Sequence, residues 1–382
     1  MHITFIVTGG TIFQTRDPKT GCMIIGAHLE DIVAPEFLSS LGVHSSLCVD
    51  LKVRSGAELT YDTIFAARDA VVAHMARSTA FVLVTGTDTL EEFAFCLDLL
   101  LGNVLVAAST SLVVTGAMKP YDIEGYDGRC NVQQAMQVAT APGASRFGVL
   151  VTLNDSVHLS RYVRKADSQL MGAFQSHPGP VGQVREGCVR FYYGPPPEAT
   201  SLRDPRFEVL DAAAVARVSR VAIWVTGVSS FLPEALLPEL SGLILAGPGT
   251  GSLSAALAEQ LAPWTALIPV VLATRCATGN NFDDHYYRGS REKYEARGFL
   301  LADFAHLTPV QARTLLVLKL AAGVYSQYNH LRSALPGSPE RVAVQCQQPK
   351  AASGATGTAV APPLQTPDDR GEGTLKDGGP NR

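Results

Sequence analysis

The stretch that decides the fold reads Phe81-Val82-Leu83-Val84-Thr85-Gly86-Thr87-Asp88-Thr89-Leu90-Glu91-Glu92. Its apolar start runs without alternation, which is typical of a strand buried on both faces. Its end opens a helix, because apolar residues recur at helical spacing from Leu90 to Leu101. A strand, a short glycine turn and a helix place Thr87 and Asp88 at the carboxyl edge of a parallel sheet. Ligand sites of open α/β sheets lie at that edge.

A simpler interpretation is that these residues only cap the helix. Asp88-Thr89-Leu90-Glu91 and Thr89-Leu90-Glu91-Glu92 both match the capping-box pattern. For this motif alone, capping is the favoured interpretation. Two further stretches of the same kind, described below, change that balance.

Length and composition indicate a two-domain α/β protein. The chain has 382 residues, of which 46% are hydrophobic and 17% charged, and its net charge is −4. The sequence has no long block of basic residues, so nothing in it indicates nucleic acid or an anionic membrane surface as a partner. The seven cysteines are scattered without a C-x-x-C pair, which favours a reducing, cytoplasmic compartment over a disulfide framework or a zinc site. We expect no signal peptide and no membrane span.

Strands and helices alternate along the chain, which predicts a mostly parallel sheet covered by helices. We predict an N-terminal domain over residues 1–190, a linker over 191–217, a smaller C-terminal α/β domain over 218–332 and a disordered tail over 333–382. The tail prediction rests on Pro, Gly, Gln, Thr and Ala replacing apolar periodicity. The predicted strands are 3–7, 51–53, 81–84, 104–107, 112–114, 149–153, 221–225, 243–245 and 270–272, and the predicted helices are 29–33, 61–75, 90–101, 132–138 and 309–320. Residues 13–26 are predicted to form a loop.

Polar residues with chemical potential follow several of these strands. Thr11 comes after Gly9-Gly10 at the end of the first strand, and Lys165 follows the strand that ends at Leu153. A hydroxyl needs a base or a field to become nucleophilic, and a Lys beside an Asp can hold or release a proton. From spacing alone, a solvated surface charge remains the favoured interpretation of Lys165. Gly247-Pro248-Gly249-Thr250-Gly251-Ser252 is glycine-rich, but it lacks the Lys of a phosphate-binding loop, so phosphate binding is disfavoured.

Taken together, the motifs resemble those of the bacterial-type L-asparaginase/glutaminase family. The resemblance covers about residues 3–323. It rests on segments in the family's order and spacing: Thr8-Gly9-Gly10-Thr11-Ile12, Thr85 to Glu92, Thr115-Gly116-Ala117-Met118-Lys119-Pro120, Asp127-Gly128, Asn131, Asn154-Asp155-Ser156, Lys165 and Ala246 to Ser252.

The resemblance implies a mechanism. Thr11 would attack the side-chain amide carbon, ammonia would leave, and water would hydrolyse the acyl-enzyme. Thr87, Asp88 and Lys165 would form a supporting triad, with oxyanion stabilisation by backbone N–H groups near Thr87. Asp88 would also bind the α-amino group of the substrate. No metal or organic cofactor is implied.

The resemblance also implies the substrate contacts and the assembly. The predicted substrate-binding residues are Ser55, Gly56, Gly86, Thr87 and Asp88. Family members usually form dimers of intimate dimers, which implies a homodimer or homotetramer here. Asp283 and Asp284 are candidates for an acidic group supplied by a paired subunit.

The sequence departs from the family pattern at two places. Many members carry a Tyr in the mobile loop after the first Thr, whereas residues 12–30 contain none and Cys22-Met23-Ile24 occupies the aligned region. Gly56 stands where members usually carry a Ser that contacts the substrate carboxylate, and Ser55 is one residue away.

Three functions remain open from the sequence. The leading hypothesis is an amidohydrolase that acts on asparagine or a related small amide. The first alternative is a binding or regulatory protein that kept the fold and lost turnover. The second is a subunit that releases ammonia for a partner amidotransferase.

Overall fold

The computed structural model describes residues 1–53, 55–283 and 285–328. The predicted tail, residues 333–382, lies outside this range, as does Asp284. Within the described range, no helix is both long and apolar enough to cross a membrane.

In the part of the chain that the structure describes, twelve strands and eight α-helices precede the C-terminal sheet. The strands are β1 (His2–Val7), β2 (Gln14–Arg16), β3 (Met23–Ile25), β4 (Ser45–Asp50), β5 (Ala80–Val84), β6 (Ser111–Thr115), β7 (Val149–Leu153), β8 (Ser156–Leu159), β9 (Val163–Lys165), β10 (Phe174–Ser176), β11 (Gly182–Arg185) and β12 (Cys188–Phe191). The helices are α1 (Leu29–Ile32), α2 (Pro35–Ser40), α3 (Tyr61–His74), α4 (Leu90–Ala107), α5 (Gly128–Thr140), α6 (Pro197–Thr200), α7 (Pro205–Glu208) and α8 (Ala212–Ala216).

An eight-stranded sheet forms the centre of the N-terminal domain. Its strand order is β12-β11-β8-β7-β6-β5-β1-β4, and the five strands from β4 to β7 in this order run parallel. The other three pair antiparallel beyond β7. The predicted α/β class, with a parallel-dominated N-terminal sheet and a smaller C-terminal domain, is therefore confirmed.

The strand β5 is buried on both faces, as its unbroken apolar run predicts. Phe81 and Leu83 pack in one core cluster with α4, and Val82 and Val84 pack in a second cluster with α5. All five residues of β5 are buried. Successive strand residues face opposite sides of a sheet, so this alternation places one helix on each face.

The C-terminal domain contains a three-stranded parallel sheet. Its strands are β13 (Val221–Val225), β14 (Gly242–Gly247) and β15 (Val270–Thr274), and its helices are α9 (Ala255–Leu261), α10 (Glu292–Glu295) and α11 (Pro309–Ala321). As predicted, Thr308 caps α11 by accepting from the Gln311 amide at 3.2 Å, with Pro309 in the first turn. One face of α11 packs against α4, so one apolar cluster runs through both domains.

The segment 191–217, predicted as a linker, contains three short helices, α6 to α8. Phe207 and Val215 are fully buried in the core cluster. Arg203 forms a buried ion pair with Asp98 of α4, with Nη2 and Oδ1 at 2.9 Å. The segment therefore packs tightly against the N-terminal domain, and the domain boundaries themselves stay a prediction.

Three local predictions were wrong. The strand predicted at 51–53 is absent from that range, and the strand lies earlier, as β4, which ends at Asp50. The sequence did not indicate it because β4 is an edge strand with mostly exposed residues. Residues 104–107 form the end of α4, because the apolar run continues the helix rather than starting a strand. The predicted loop over 13–26 contains the antiparallel hairpin of β2 and β3.

Candidate active site

The parallel strands end level with one another at the carboxyl edge of the sheet. Val84 of β5 pairs with Val7 of β1 on one side and with Thr115 of β6 on the other. The Thr8 hydroxyl donates to the Thr85 hydroxyl at 2.7 Å, just beyond the strand ends. This register brings the three motifs that follow β1, β5 and β6 to one place.

Three glycines allow the motifs to approach closely. A Cβ on Gly10 would lie 2.4 Å from Gly86 Cα, and a Cβ on Gly86 would lie 2.8 Å from Gly56 Cα. Gly10 also has a φ of +102°, which residues with a side chain rarely adopt. Gly56 therefore packs against the backbone of the turn after β5, and its equivalence to the serine of the family pattern stays a prediction.

Lys165, Thr87 and Asp88 form one hydrogen-bonded group, as the resemblance implies. The Lys165 ammonium donates to Thr87 Oγ1 at 3.0 Å and to Asp88 Oδ1 at 2.9 Å. Thr87 is buried, and the Lys165 side chain is only 14% exposed, whereas the Asp88 side chain is 63% exposed. The interpretation of Lys165 as a solvated surface charge is therefore wrong. The sequence spacing did not reveal that the Lys165 side chain points inward from β9.

Glu91 fixes the backbone beside this group. Its Oε2 accepts from the Lys165 amide at 2.8 Å, which ties the first turn of α4 to β9. Burial raises the pKa of the Glu91 carboxyl, and the hydrogen bond from Lys165 partly opposes that shift. The sequence showed Glu91 only as part of a capping box, so this positioning contact was missed.

The capping-box prediction was wrong, and Thr89 shows why. Thr89 is the N-cap residue of α4, but its side chain makes no capping hydrogen bond. Its hydroxyl instead donates to the Gly56 carbonyl at 2.7 Å. The same side chain that could cap the helix thus holds the turn at residues 56–58 against the β5 turn.

Thr11 begins a short 3-10 turn directly after Gly10. A residue distant in the chain stabilises this turn, because the Tyr126 hydroxyl donates to the Ile12 carbonyl at 2.8 Å. Among the residues that the structure describes, the Thr11 hydroxyl has no hydrogen-bond partner. The role of Thr11 as the nucleophile stays a prediction.

The turn after β6 is built by Asp127 and Asn131. Asp127 accepts from the amides of Met118 and Lys119 at 2.9 and 3.0 Å. Asn131 donates to the Gly116 carbonyl at 3.0 Å and accepts from the Asn154 amide at 3.0 Å. Asp127 and Asn131, which belong to the family pattern, thus fix the backbone of the turn after β6.

The segment carrying Ser55 borders a large cleft. Ser55 Oγ accepts from the Ala57 amide at 3.3 Å, which caps its own turn. Together with Gly9, Ser55 lies at the edge of a cleft of about 930 Å³. Met23, Ile24 and Ile25 of β3 also line this cleft, and they belong to the segment in which the family pattern predicts a Tyr.

Asp283 lies on an exposed loop and engages its own backbone. Its Oδ1 accepts from the amides of His285 and Tyr286, both at 2.8 Å, and these hydrogen bonds lower the pKa of its carboxyl. A role for Asp283 or Asp284 in a paired subunit stays a prediction.

The Gly247–Ser252 stretch is a tight turn. A Cβ on Gly247 would lie 2.6 Å from the Gly251 carbonyl carbon, so the glycines serve the packing of the turn after β14. Within the described parts of the chain, no group of three His, Cys, Asp or Glu side chains could hold a metal ion.

Comparisons with known proteins identify the family. A family model described as Asparaginase, N-terminal matches residues 2–197, and one described as Glutaminase/Asparaginase C-terminal domain matches residues 217–329. The chain is 28% identical to L-asparaginase 2 of Escherichia coli (strain K12) over 327 residues, which cover 84% of this chain and 88% of that protein. It is 27% identical to L-asparaginase 2 of Bacillus subtilis (strain 168) over 328 residues, with coverage of 84% and 82%.

The fold has a solved counterpart. A probable cytoplasmic L-asparaginase from Campylobacter jejuni superposes with a TM-score of 0.70 at 23% identity, covering 86% of this chain and 98% of that one. The two family models together span most of the sequence, and the chain therefore belongs to the asparaginase family of amidohydrolases.

Proposed function

We propose that this protein hydrolyses the side-chain amide of asparagine, or of a related small amide, to the acid and ammonia. The observation that carries the proposal is the Lys165 ammonium, which bridges Thr87 Oγ1 and Asp88 Oδ1 at the carboxyl end of β5. Thr11 follows the neighbouring strand and carries an unpaired hydroxyl within the described structure. A nucleophile and a proton-handling group thus come from adjacent strands.

The proposed reaction proceeds in two steps. Thr11 Oγ attacks the amide carbon and passes its proton toward the Thr87–Lys165–Asp88 group. Backbone N–H groups at Gly86 and Thr87 stabilise the oxyanion, and the amide nitrogen leaves as ammonia once protonated. Water then attacks the Thr11 ester, and the acid product and the free hydroxyl are regenerated.

Asp88 also holds the substrate in this proposal. Its carboxylate is more exposed than its two partners, so it can accept from an α-amino group while it remains paired with Lys165. The turn at Ser55 and Gly56 lies beside Gly86 and completes the binding wall. No cofactor takes part in the proposed reaction.

The two alternative functions are not favoured. Proteins named L-asparaginase match across 84% of this chain, and here the Lys165 ammonium bridges Thr87 and Asp88. We further propose a cytoplasmic location and a homodimeric or homotetrameric assembly, which rest on the family resemblance and the scattered cysteines.

Ammonia release from asparagine, glutamine and simple aliphatic amides tests the proposal. We expect turnover with at least one amide, and we expect Thr11→Ala to lower it on the order of a thousandfold or more with an unchanged melting temperature. Thr200→Ala, on the short helix α6, is the matched control and should keep full activity. Near-normal activity in Thr11→Ala together with an inactive Thr87→Ala would move the nucleophile to Thr87.

A further inference from the structure

The loop between β6 and α5, residues 116–127, is bound to the segment that carries Thr11. The Tyr126 hydroxyl donates to the Ile12 carbonyl at 2.8 Å, one residue after Thr11. The Tyr121 amide donates to the Gln14 carbonyl, also at 2.8 Å. These contacts join residues more than a hundred positions apart in the chain. The loop therefore holds the backbone at two points on the C-terminal side of Thr11.

The backbone on the N-terminal side of Thr11 is constrained by a different contact. Gly10 has a φ of +102° and packs against Gly86 in the turn after β5. The Phe13 amide donates to the Gly10 carbonyl at 3.1 Å, which closes the 3-10 turn. Thr11 thus lies between a glycine contact on one side and the Tyr126 hydrogen bond on the other.

Two neighbours fix the Tyr126 side chain. Its ring packs edge-on against the Tyr121 ring, with 5.3 Å between the ring centroids and an angle of 66° between the planes. Gly128 begins α5, and a Cβ added there would overlap the Tyr126 hydroxyl oxygen. The missing side chain at Gly128 therefore makes room for the hydroxyl that reaches Ile12.

The surroundings of Tyr126 keep its phenol protonated. Burial raises the pKa of the Tyr126 hydroxyl, and Asp127 and Tyr121 shift it in the same direction, whereas Arg129 opposes them. A protonated phenol has one hydrogen to donate, and here the Ile12 carbonyl accepts it. Tyr126 is therefore suited to hold the backbone rather than to exchange protons with a substrate.

We propose that Tyr126 is a positioning residue for the Thr11 nucleophile, because its hydroxyl holds the Ile12 carbonyl and so fixes the turn that carries Thr11. The inference rests on the proposed amide hydrolysis. The proposed substrate contacts at Asp88 and Ser55 come from other turns. Loss of the Tyr126 hydroxyl should therefore slow the chemical step and leave substrate binding nearly unchanged, since small displacements of a reacting group are costly in rate.

Tyr126→Phe tests the inference, because it keeps the ring and removes only the hydroxyl. We expect kcat for the best amide to fall about tenfold or more, while KM changes by less than about twofold. The factor should be the same at pH 6, 7.5 and 9, because the hydroxyl stays protonated over this range. Steady-state ammonia release at the three pH values provides both parameters.

Tyr121→Phe is the matched control, since it makes the same chemical change on the adjacent ring. Within the described parts of the chain the Tyr121 hydroxyl makes no hydrogen bond, and its backbone amide is unaffected by the substitution. We expect normal kcat and KM in Tyr121→Phe. Gly128→Ala is a second test, because it keeps the Tyr126 hydroxyl but displaces it. It should lower kcat as Tyr126→Phe does, and alanine is well tolerated in a helix.

Hydrogen–deuterium exchange over residues 9–16 gives a measure that does not depend on turnover. We expect faster exchange of this segment in Tyr126→Phe and unchanged exchange in Tyr121→Phe. If the unmodified protein releases no ammonia from any amide, the proposed hydrolysis is rejected. The exchange then decides by itself whether Tyr126 holds the Thr11 turn.

Several results would overturn the inference. They are normal kcat in a folded Tyr126→Phe protein, an equal loss in Tyr121→Phe, a raised KM without a change in kcat, and unchanged exchange over residues 9–16. A loss of activity confined to alkaline pH would make Tyr126 a proton-transfer group instead. If circular dichroism shows that Tyr126→Phe does not fold, Gly128→Ala decides, and normal kcat there rejects the positioning role.

Discussion

At the scale of single residues, the site depends on one ammonium group shared between two acceptors. Lys165 lies 3.0 Å from the Thr87 hydroxyl and 2.9 Å from the Asp88 carboxylate. Because the Asp88 side chain is 63% exposed, water screens its attraction for the ammonium. We therefore expect the pair to contribute little to stability, and in the proposed reaction it would act through position and proton exchange.

Lys165→Met tests this interpretation, because it keeps the aliphatic stem and removes the charge. We expect the turnover number for the best amide to fall at least a hundredfold, with a much smaller change in substrate affinity and melting temperature. Steady-state kinetics, calorimetry with the same amide and thermal unfolding provide the three readouts.

Lys293→Met is the control, since Lys293 is an exposed lysine of the C-terminal domain. If amide binding disappears together with activity in Lys165→Met, the ammonium is a ligand contact and the triad is wrong. If neither changes, Lys165 takes no part in the reaction.

At the scale of secondary-structure elements, three turns meet because their glycines have no side chains. Gly10→Ala would place a Cβ 2.4 Å from Gly86 Cα at a φ of +102°. We expect a loss of about 3 kcal/mol or more in unfolding free energy, or a displaced Thr11 turn with little activity. Urea unfolding and ammonia release measure the two effects.

Gly21→Ala is a matched control for this clash. Gly21 also has a positive φ, +72°, but no heavy atom lies within 4 Å of a Cβ added there. Its loss should be about 1 kcal/mol, from backbone strain alone. Equal losses in the two variants would show that the contact between Gly10 and Gly86 is unimportant.

A buried ion pair fixes α4 to the segment of residues 191–217. Arg203 binds Asp98 through Nε and Nη2, and Asp98 also accepts from the Val149 amide at 3.0 Å. Asp98→Ala leaves a buried guanidinium unpaired and should cost about 3–5 kcal/mol in urea unfolding. Replacing both partners with Asp98→Leu/Arg203→Met should recover most of that loss. A double variant as unstable as the single one would argue against an electrostatic origin.

The sequence predicted well those elements whose pattern is local. The unbroken apolar run of β5 and the Thr308-Pro309 start of α11 each correspond to one physical constraint, and both were correct. Contacts made across the chain left no local signal. Glu91 and Thr89 matched a capping box, yet both bond to distant backbone, at Lys165 and Gly56.

The sequence pattern also did not predict which charged side chains are buried. Asp98 lies on a helix whose apolar spacing suggested only one buried stripe, although that helix is buried nearly all round. The Arg161 guanidinium likewise occurs among other basic residues, Arg164 and Lys165, that look like a solvated surface. Their different environments follow from the geometry of the strand, in which successive side chains face opposite sides.

At the scale of the whole molecule, His158 links stability to pH. It lies on β8, where the large sheet changes from parallel to antiparallel pairing, and its Nδ1 is 2.8 Å from Ser176 Oγ. Burial lowers the pKa of His158 from 6.5 to about 4, so the imidazole is neutral in the folded protein at neutral pH. The unfolded chain binds a proton near pH 6.5, whereas the folded protein does so only near pH 4.

The sign of the pH effect follows from this difference. Between pH 6.5 and 4 the unfolded state holds more protons, so the contribution of His158 to stability is complete above pH 6.5 and is lost as pH falls toward 4. Lowering the pH from 7.5 to 5 should remove about 2 kcal/mol of unfolding free energy through this residue. His158→Gln keeps a polar side chain without titration, and urea unfolding at both pH values should show a smaller loss by about that amount. Equal pH dependence in the two proteins would mean that the buried imidazole is already protonated or is solvated in the folded state.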